Sequence, residues 1–273
     1  GLYKIKGFSV PLPPLSVQNR IATIARNYDD LIENNRRRIA LLEQAARLLY
    51  REWFVHFRFP GHETAKFVDG LPEGWSNTSI SELADIFRGK SYKSTELRET
   101  AGQPFINLKC FDRGGGFRVS GLKWFVGDHK DHHFAKVGDI VIAVTDLTRD
   151  AAIVSQAARV PRAVGANALY SMDLVKAMPK EGTDPIWFYG LLRFSRFSIE
   201  VKEEATGATV LHLKPKHIEK WGFPLPPKSL RQEFEKEYAP ILDQVDSLQV
   251  NNEKLTAARD LLLPRLMDGR IPV

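Results

Sequence analysis

A stretch of ten residues near the start of the chain recurs in similar form near its end, and this repeat limits the fold more than any other feature. Residues 5–14 read Ile-Lys-Gly-Phe-Ser-Val-Pro-Leu-Pro-Pro, and residues 218–227 read Ile-Glu-Lys-Trp-Gly-Phe-Pro-Leu-Pro-Pro. Proline fixes φ and has no backbone N–H to donate, so each proline run predicts an extended lead-in. A serine that can cap a helix, Ser16 or Ser229, follows each run. Two related helices are therefore predicted to begin at corresponding points.

The residues after each serine have the apolar pattern of one helix packed along another, with spacings that alternate between three and four. The first series predicts a helix over residues 16–57, roughly 60 Å long. An asparagine stands midway in each series, where it either fixes the register of the pair or lies beside the seam. Pro240 should kink the second helix or mark where it begins. The residues that we expect to pair the helices are Ile24, Leu31, Asn35, Leu42, Leu49, Ile241, Leu248, Asn252, Leu255 and Leu262.

The segment between the two helical patterns has no heptads and predicts a globular domain. A turn-rich stretch, Leu-Pro-Glu-Gly-Trp at residues 71–75, opens it. Apolar or alternating runs predict strands, and two short stretches have helical spacing. The fold class that follows is α+β, with one mixed α/β domain and two long antiparallel coiled-coil helices. The predicted strands lie at 104–108, 139–144, 151–155 and 169–175, and the short helices at 80–86 and 186–197.

Composition excludes several classes of protein. With 43% hydrophobic and 26% charged residues, the chain can bury a core and is not a disordered protein. No apolar run approaches the roughly 20 residues that a membrane span needs, and we expect neither a signal peptide nor a membrane partner. The single Cys110 cannot form an internal disulfide, which agrees with a cytoplasmic location. A net charge of +6 fits a partner that carries phosphates, although many equally basic proteins bind no nucleic acid.

Motifs along nearly the whole chain resemble those of the specificity subunits of type I restriction–modification systems. The doubled Pro-Leu-Pro-Pro lead-in is similar to the start of that family's conserved helical regions. Residues 71–75, followed by Phe-Arg-Gly-Lys-Ser-Tyr at 87–92, look like the opening of its target recognition domain. Val-Gly-Asp-Ile-Val at 137–141, Gly-Ala-Thr-Val at 207–210 and the stretch 261–269 resemble later parts of the family pattern.

The resemblance implies two recognition domains joined by two antiparallel helices, each domain reading one half of a bipartite DNA target. This sequence departs from that plan because it has one such domain, preceded by residues that resemble the tail of another. We therefore expect either a C-terminal half or a half-sized subunit that pairs with a copy of itself. The expected divisions are a tail at 1–10, a first conserved helical region at 11–58, a target recognition domain at 59–225 with its core at 65–215, and a second conserved helical region at 226–273.

The resemblance also implies partners and the absence of catalysis in this chain. The expected partners are double-stranded DNA and methyltransferase subunits, with the restriction subunit as a further one. S-adenosylmethionine would be bound by the methyltransferase, and this sequence has no Walker loop, GxGxxG or Asn-Pro-Pro-Tyr motif. Adjacent ligands at residues 128–133 would point to different faces, so we expect no metal site there. No lysine at nuclease-like spacing follows Asp139 and Asp146.

Four stretches offer the chemistry that DNA contact needs, which is cations for phosphates and amide or cationic side chains for base edges. They are the loop after Gly89, the residues that follow the 104–108 strand, those that leave the 139–144 strand, and the loop around Gly207. For each residue alone, an ordinary solvated surface is an equal alternative. The expected DNA-binding residues are Arg88, Lys90, Tyr92, Lys93, Asn107, Lys109, Thr145, Arg149, Thr206, Thr209 and Lys214, with Lys90, Tyr92 and Arg149 foremost.

Two features of the first helix have two interpretations each. The arginines at 36–38 either pair with Glu33 and Glu43 on a solvated face or contact DNA or a partner. The aromatic stretch at 49–59 either packs under the recognition domain or docks the methyltransferase. For the whole chain, the competing function is a coiled-coil assembly protein with an appended globular domain and no DNA role.

Overall fold

The computed structural model describes residues 12–147, 150–165 and 167–272, so the expected tail at 1–10 lies outside it. Packing divides the chain into two units, Gly1–Leu41 with Ser247–Val273, and Leu42–Asp246. No helix in the described part of the chain is long and apolar enough to cross a membrane. In chain order the elements are α1 (Leu15–Phe54), β1 (Phe67–Val68), β2 (Leu71–Pro72), β3 (Ser76–Ser79), α2 (Ile80–Leu83), β4 (Ala84–Arg88), β5 (Leu97–Arg98), β6 (Gln103–Ile106), β7 (Lys123–Phe125), β8 (Phe134–Ala135), β9 (Ile140–Ala143), β10 (Thr145–Asp146), β11 (Ala157–Arg159), β12 (Ala168–Tyr170), β13 (Leu174–Pro179), α3 (Pro185–Phe194), α4 (Phe197–Lys202), β14 (Leu211–His212), α5 (Pro215–Lys220), β15 (Gly222–Leu225) and α6 (Lys228–Met267).

Both predicted long helices are present, and each begins directly after its proline run. The carbonyl of Pro14 accepts hydrogen bonds from the N–H groups of Val17 and Gln18 in α1, and that of Pro227 accepts one from the N–H of Arg231 in α6. The two serines therefore lie inside the first turns and not at the caps. Helix α6 continues through Pro240, so the alternative in which the helix begins there was wrong. In both copies the long helix starts at the residue after the last proline.

In the first unit, α1 and α6 run antiparallel. The Asn35 amide donates to the Asn252 side-chain oxygen at 2.9 Å, and Arg259 pairs with Asp29 at 2.6 Å. As the residue number rises along α1, its partner's number falls along α6. The coiled-coil pair that the sequence predicts is confirmed, and the two asparagines meet each other within it.

One predicted pairing residue of this unit is misplaced by one position. Leu31 has 51% of its surface exposed, whereas Ile32 has 4%. The buried row of α1 passes from Tyr28 to Ile32 because a spacing of four, and not three, is needed at that point to remain on one face. The other predicted residues of this unit are buried or half-buried: Ile24, Asn35, Leu248, Asn252, Leu255 and Leu262.

The asparagine pair makes a stability prediction. Substituting Asn35→Leu alone should lower the free energy of unfolding by about 1–2 kcal/mol, because it leaves the Asn252 amide without its partner. The double variant Asn35→Leu with Asn252→Leu should recover that loss or exceed it. Chemical denaturation of the three proteins measures both effects. Equal stability of the single and double variants would contradict a coupled pair.

The second unit is built on two larger sheets. One has the strand order β11-β9-β13-β4 with antiparallel neighbours, and the other has the order β5-β7-β6-β12-β8 with β6 and β12 parallel. Strand β9 lies between two cores, since Ile140 and Ile142 belong to one hydrophobic cluster and Val141 and Ala143 to another. A strand buried on both faces has a continuous apolar sequence and not an alternating one.

The sequence predicted some elements of this unit correctly and others not. Strands β6 and β9 and helix α3 lie where they were predicted. The run at 169–175 is two strands, because β12 ends at Tyr170 and β13 starts at Leu174, and no strand lies within 151–155. The helical stretch at 80–86 is a helix for one turn only.

The ends of both long helices are part of the second unit's core. Phe234 of α6 is fully buried, and its ring lies 5.0 Å from that of Phe54 and 5.9 Å from that of Trp53, both of α1. Leu49 and Ile241 pack against the same cluster, while Leu42 is half-buried. The aromatic stretch of α1 therefore packs under the globular domain, which was one of its two interpretations.

A buried polar contact joins the start of α6 to the start of α3. The Arg231 Nη1 atom lies 2.6 Å from Asp184 Oδ2, at ion-pair distance but without hydrogen-bond geometry, and both side chains are 8% exposed. The guanidinium lies 5.1 Å from the centre of the Trp187 ring. One turn further along α6, Glu235 accepts hydrogen bonds from the N–H groups of Ile186 and Trp187. These contacts fix α3 against α6.

Candidate nucleic-acid interface

The ends of three strands lie together at one end of the four-stranded sheet. Arg88, the last residue of β4, is opposite Val175 near the start of β13, and Ala143, the last residue of β9, is opposite Leu174. The N–H of Val144 donates to the Asp173 carbonyl at 2.8 Å. The loops that leave β4 and β9 therefore lie beside the turn that enters β13.

The five-stranded sheet reaches the same place through Lys90. Its N–H donates to the Tyr170 carbonyl, and its carbonyl accepts from the Met172 N–H, each at 2.8 Å. The approach is so close that a Cβ on Gly89 would lie 2.2 Å from the Ser171 carbonyl oxygen. Only glycine fits at this position, because the obstructing atoms are backbone.

A short two-stranded sheet adds a fourth segment. Thr145 and Asp146 of β10 pair with His212 and Leu211 of β14, and the backbones of Thr206 and His212 exchange two hydrogen bonds. Gly207 in the loop has a φ of 136°, a conformation that other residues rarely adopt. We call these four segments, residues 88–93, 144–147, 171–174 and 206–214, the interface edge.

The sequence profile of the family described as type I restriction modification DNA specificity domain matches residues 72–258, which is more than half of the chain. The chain belongs to this family. The match extends from strand β2 into helix α6 and therefore contains the whole interface edge.

Individual members of the family resemble the chain over most of its length. It is 26% identical to the specificity subunit of the type I restriction enzyme MjaIX from Methanocaldococcus jannaschii, over 98% of this chain and 62% of that subunit. It is 24% identical to the HindI specificity subunit from Haemophilus influenzae, over 98% of this chain and 70% of that one. The crystal structure of the S subunit from M. genitalium matches with a TM-score of 0.60 and 15% identity, covering 92% of this chain and 61% of that one. The chain thus spans less than two thirds of the first and third of these proteins.

In this member of the specificity-domain family, most of the predicted DNA-binding residues lie on the interface edge. Lys90 and Tyr92 are partly buried there, and the Tyr92 ring lies 4.9 Å from that of Phe105. Burial and, to a lesser extent, the Asp173 carboxylate raise the pKa of Tyr92, so its hydroxyl stays protonated and can donate a hydrogen bond. The exposed members of the set are Arg88, Lys93, Thr206, Thr209 and Lys214.

Two of the predicted residues do not have the exposure that a DNA contact requires. Asn107 is 7% exposed, and its amide is used internally, since Nδ2 donates to the Gly121 carbonyl at 3.2 Å and Oδ1 accepts from the Lys109 N–H at 2.8 Å. Thr145 is 5% exposed and has its hydroxyl 3.5 Å from Nδ1 of His212. Neither side chain is open to a DNA contact in this arrangement, so their assignment as DNA-binding residues stays a prediction that their burial does not favour. Because each residue follows a strand, the sequence could place it near the end of a sheet. It could not show that the side chain is buried.

The remaining predicted residues lie elsewhere or outside the described residues. Lys109 is exposed but lies outside the interface edge. The hydrogen bond and the charge of Lys123 lower the pKa of Glu99, and the charge of Lys109 lowers it further. Arg149 lies outside the described residues. The arginines at 36 and 37 pair with Glu33 at 4.0 and 3.2 Å, as on a solvated helix face. Among the described residues, no group of three or more His, Cys, Asp or Glu side chains is arranged to hold a metal ion.

The turn between β12 and β13 was not predicted from the sequence. Met172, which is 40% exposed, and Asp173 lie at the centre of the interface edge because their backbone bonds to Lys90 and Val144. Within the sequence this turn looked like the middle of one strand, so no local signal marked it. Only the pairing of β13 with both β4 and β9 brings it to this place.

Proposed function

We propose that this chain is the DNA-reading part of a type I restriction–modification specificity subunit, that it reads one half of a bipartite target, and that it catalyses no reaction itself. The observation that carries this proposal is the interface edge, which brings four separate segments of the chain together. Groove reading needs several side chains at one place, some for phosphates and some for base edges. Membership of the specificity-domain family supports the same function.

The charges at the interface edge support phosphate binding. Arg88, Lys90 and Lys214 have no ion-pair partner within the described residues, although the chain pairs many of its other cations with carboxylates. A cation without a nearby carboxylate is available to a phosphate, and each such contact releases counterions from the DNA. The hydroxyls of Thr206, Thr209 and Tyr92 are further donors for phosphate or base edges.

We further propose that the exposed face of α1 docks a methyltransferase subunit, which would bind S-adenosylmethionine and transfer the methyl group. Ala45, Leu48 and Val55 are exposed on one face of this helix, Leu48 by 51% and Val55 by 47%. Residues three, seven and ten positions apart lie on the same side of a helix. The aromatic residues Trp53 and Phe54 are already buried in the domain core, so this apolar face is what α1 offers a partner.

Removing cations from the interface edge should weaken DNA binding and reduce its salt dependence. Lys90→Ala and Lys214→Ala should each lower the slope of log affinity against log salt by about 0.9, with a loss of affinity of about threefold to tenfold. Electrophoretic shifts and fluorescence anisotropy with a random-sequence duplex, at several salt concentrations, measure both quantities. A random duplex is sufficient because phosphate contacts do not depend on sequence.

Lys180→Ala is the matched control. Lys180 follows the opposite end of β13, where its Nζ atom donates to the Ser81 carbonyl at 2.6 Å and lies 3.5 Å from Asp85. Its removal should leave the salt slope unchanged. Equal slopes for all three variants would show that the interface edge is wrongly placed. No binding of the unmodified protein, with or without a methyltransferase subunit, would favour a coiled-coil assembly protein instead.

A further inference from the structure

A histidine-containing turn lies directly beside Lys90. Strand β8 pairs with β12 so that Phe134 is opposite Leu169, which places His133 beside the following residue, Tyr170. The Tyr170 carbonyl accepts the hydrogen bond from the Lys90 N–H at 2.8 Å. His133 and Lys90, which are far apart in the sequence, are therefore neighbours on either side of Tyr170.

The turn that precedes β8 brings one further lysine and two histidines close to Lys90. The rings of His132 and His133 have their centres 4.1 Å apart, and the Lys130 N–H lies 3.4 Å from Nδ1 of His133. Burial lowers the pKa of His133, and the charges of His132, Lys90, Lys130 and His129 lower it further. The free protein therefore holds His133 mainly neutral near pH 7, because protonation would add another positive charge to this group.

Among the described residues, no carboxylate contributes to the shift in the pKa of His133. Asp128 and Asp131 belong to the same segment and are exposed, and Asp139 lies 3.6 Å from Lys176, whose Nζ also donates to the Phe134 carbonyl. The charge of Asp173 helps to raise the pKa of Tyr92. Within the described residues, no carboxylate forms an ion pair with Lys90, Lys130, His132 or His133. Like charges gathered without a counter-charge repel one another, and an anion that binds among them relieves the repulsion.

We propose that Lys90, Lys130, His132 and His133 form one phosphate-binding cluster, which extends the interface edge onto the five-stranded sheet and takes up protons when DNA binds. This proposal rests on the proposed DNA-reading function and adds a pH-dependent contact to it. The ligand is a phosphodiester of the DNA backbone, so the contact contributes affinity and not base specificity.

The sign of the pH dependence follows from linkage. A phosphate beside His133 raises the pKa of that residue in the complex above its value in the free protein. Binding should therefore tighten as the pH falls through the pKa of the complex, and the gain should level off below the pKa of the free protein. Because one pKa unit corresponds to a factor of ten, we expect affinity to be about threefold to tenfold greater near pH 6 than near pH 8.

The test compares histidine variants of the full chain with a random-sequence duplex at about pH 6 and about pH 8, on either side of the ordinary histidine pKa. The double variant His132→Gln with His133→Gln should bind equally at both pH values. His212→Gln removes the histidine of β14, and His56→Gln removes an exposed histidine that follows the end of α1. The His56 variant should keep the full pH dependence.

A second readout is the salt slope of the unmodified protein, which should be steeper by about 1 near pH 6 if one more phosphate is contacted. The double variant should show the same slope at both pH values. A pH-independent affinity of the unmodified protein, or a dependence that only His212→Gln removes, would overturn the cluster while leaving the DNA-reading function intact. No DNA binding at either pH would overturn both.

Discussion

Replacing Arg231 with alanine should lower the free energy of unfolding by about 3–5 kcal/mol. The guanidinium and the Asp184 carboxylate are both 8% exposed and lie 2.6 Å apart. Without the arginine, Asp184 would remain as a buried charge with no cation beside it, which costs more than the ion pair itself contributes. The arginine also covers the Trp187 ring, and that contact would be lost too. Denaturation with urea measures the change.

Arg196→Ala is the matched control for this prediction. Arg196 also lies 2.6 Å from a carboxylate, that of Glu200, but 80% of its side chain is exposed. An exposed helical pair contributes about 0.3–0.5 kcal/mol, so this variant should unfold almost as the unmodified protein does. The double variant Arg231→Met with Asp184→Asn should recover most of the loss, because no buried charge remains. A loss for Arg231→Ala no larger than that for Arg196→Ala would show that burial does not matter here.

The sequence could not have predicted the pair of Arg231 and Asp184. Each residue alone looks like an ordinary surface charge near the start of a helix, and buried charges are rare. What the sequence did predict is the local part of the fold: the two long helices, the apolar run of β9 and the helix α3. These depend on the spacing of apolar residues within a short stretch, whereas the burial of a charge depends on which distant element covers it.

The same distinction explains the outcome at the interface edge. Lys90 and the loop around Gly207 could be proposed as DNA contacts from the sequence, because a basic or hydroxyl-rich loop after a glycine is a local signal. Asn107 has equally suitable chemistry, but its amide is used by Gly121 and Lys109 inside the domain. The turn at Met172 and Asp173 has no local signal. The exposure of a loop residue is set by strand pairing, which joins residues that are far apart in the sequence.

Replacing Gly89 with alanine should both destabilise the domain and weaken DNA binding. The new Cβ would lie 2.2 Å from the Ser171 carbonyl oxygen and 2.4 Å from that of Tyr170. Neither segment can move away freely, because the Ser171 N–H donates to the Ile106 carbonyl and the Lys90 N–H donates to the Tyr170 carbonyl. Overpacking against fixed backbone costs about 1–3 kcal/mol or more, and we expect the upper part of that range.

The effect of Gly89→Ala on DNA binding shows whether the position of Lys90 matters in addition to its charge. The variant keeps every cation of the interface edge, but the clash should displace Lys90 from its place between the two sheets. We expect a loss of affinity of at least about threefold, comparable to that of Lys90→Ala, since either change removes the phosphate contact. Gly114→Ala is the control, because a Cβ there meets nothing within 4 Å and the residue does not have a positive φ. If Gly89→Ala folds, binds DNA as tightly as Gly114→Ala and keeps the same salt slope, then the junction of the two sheets at Lys90 does not position the DNA contact.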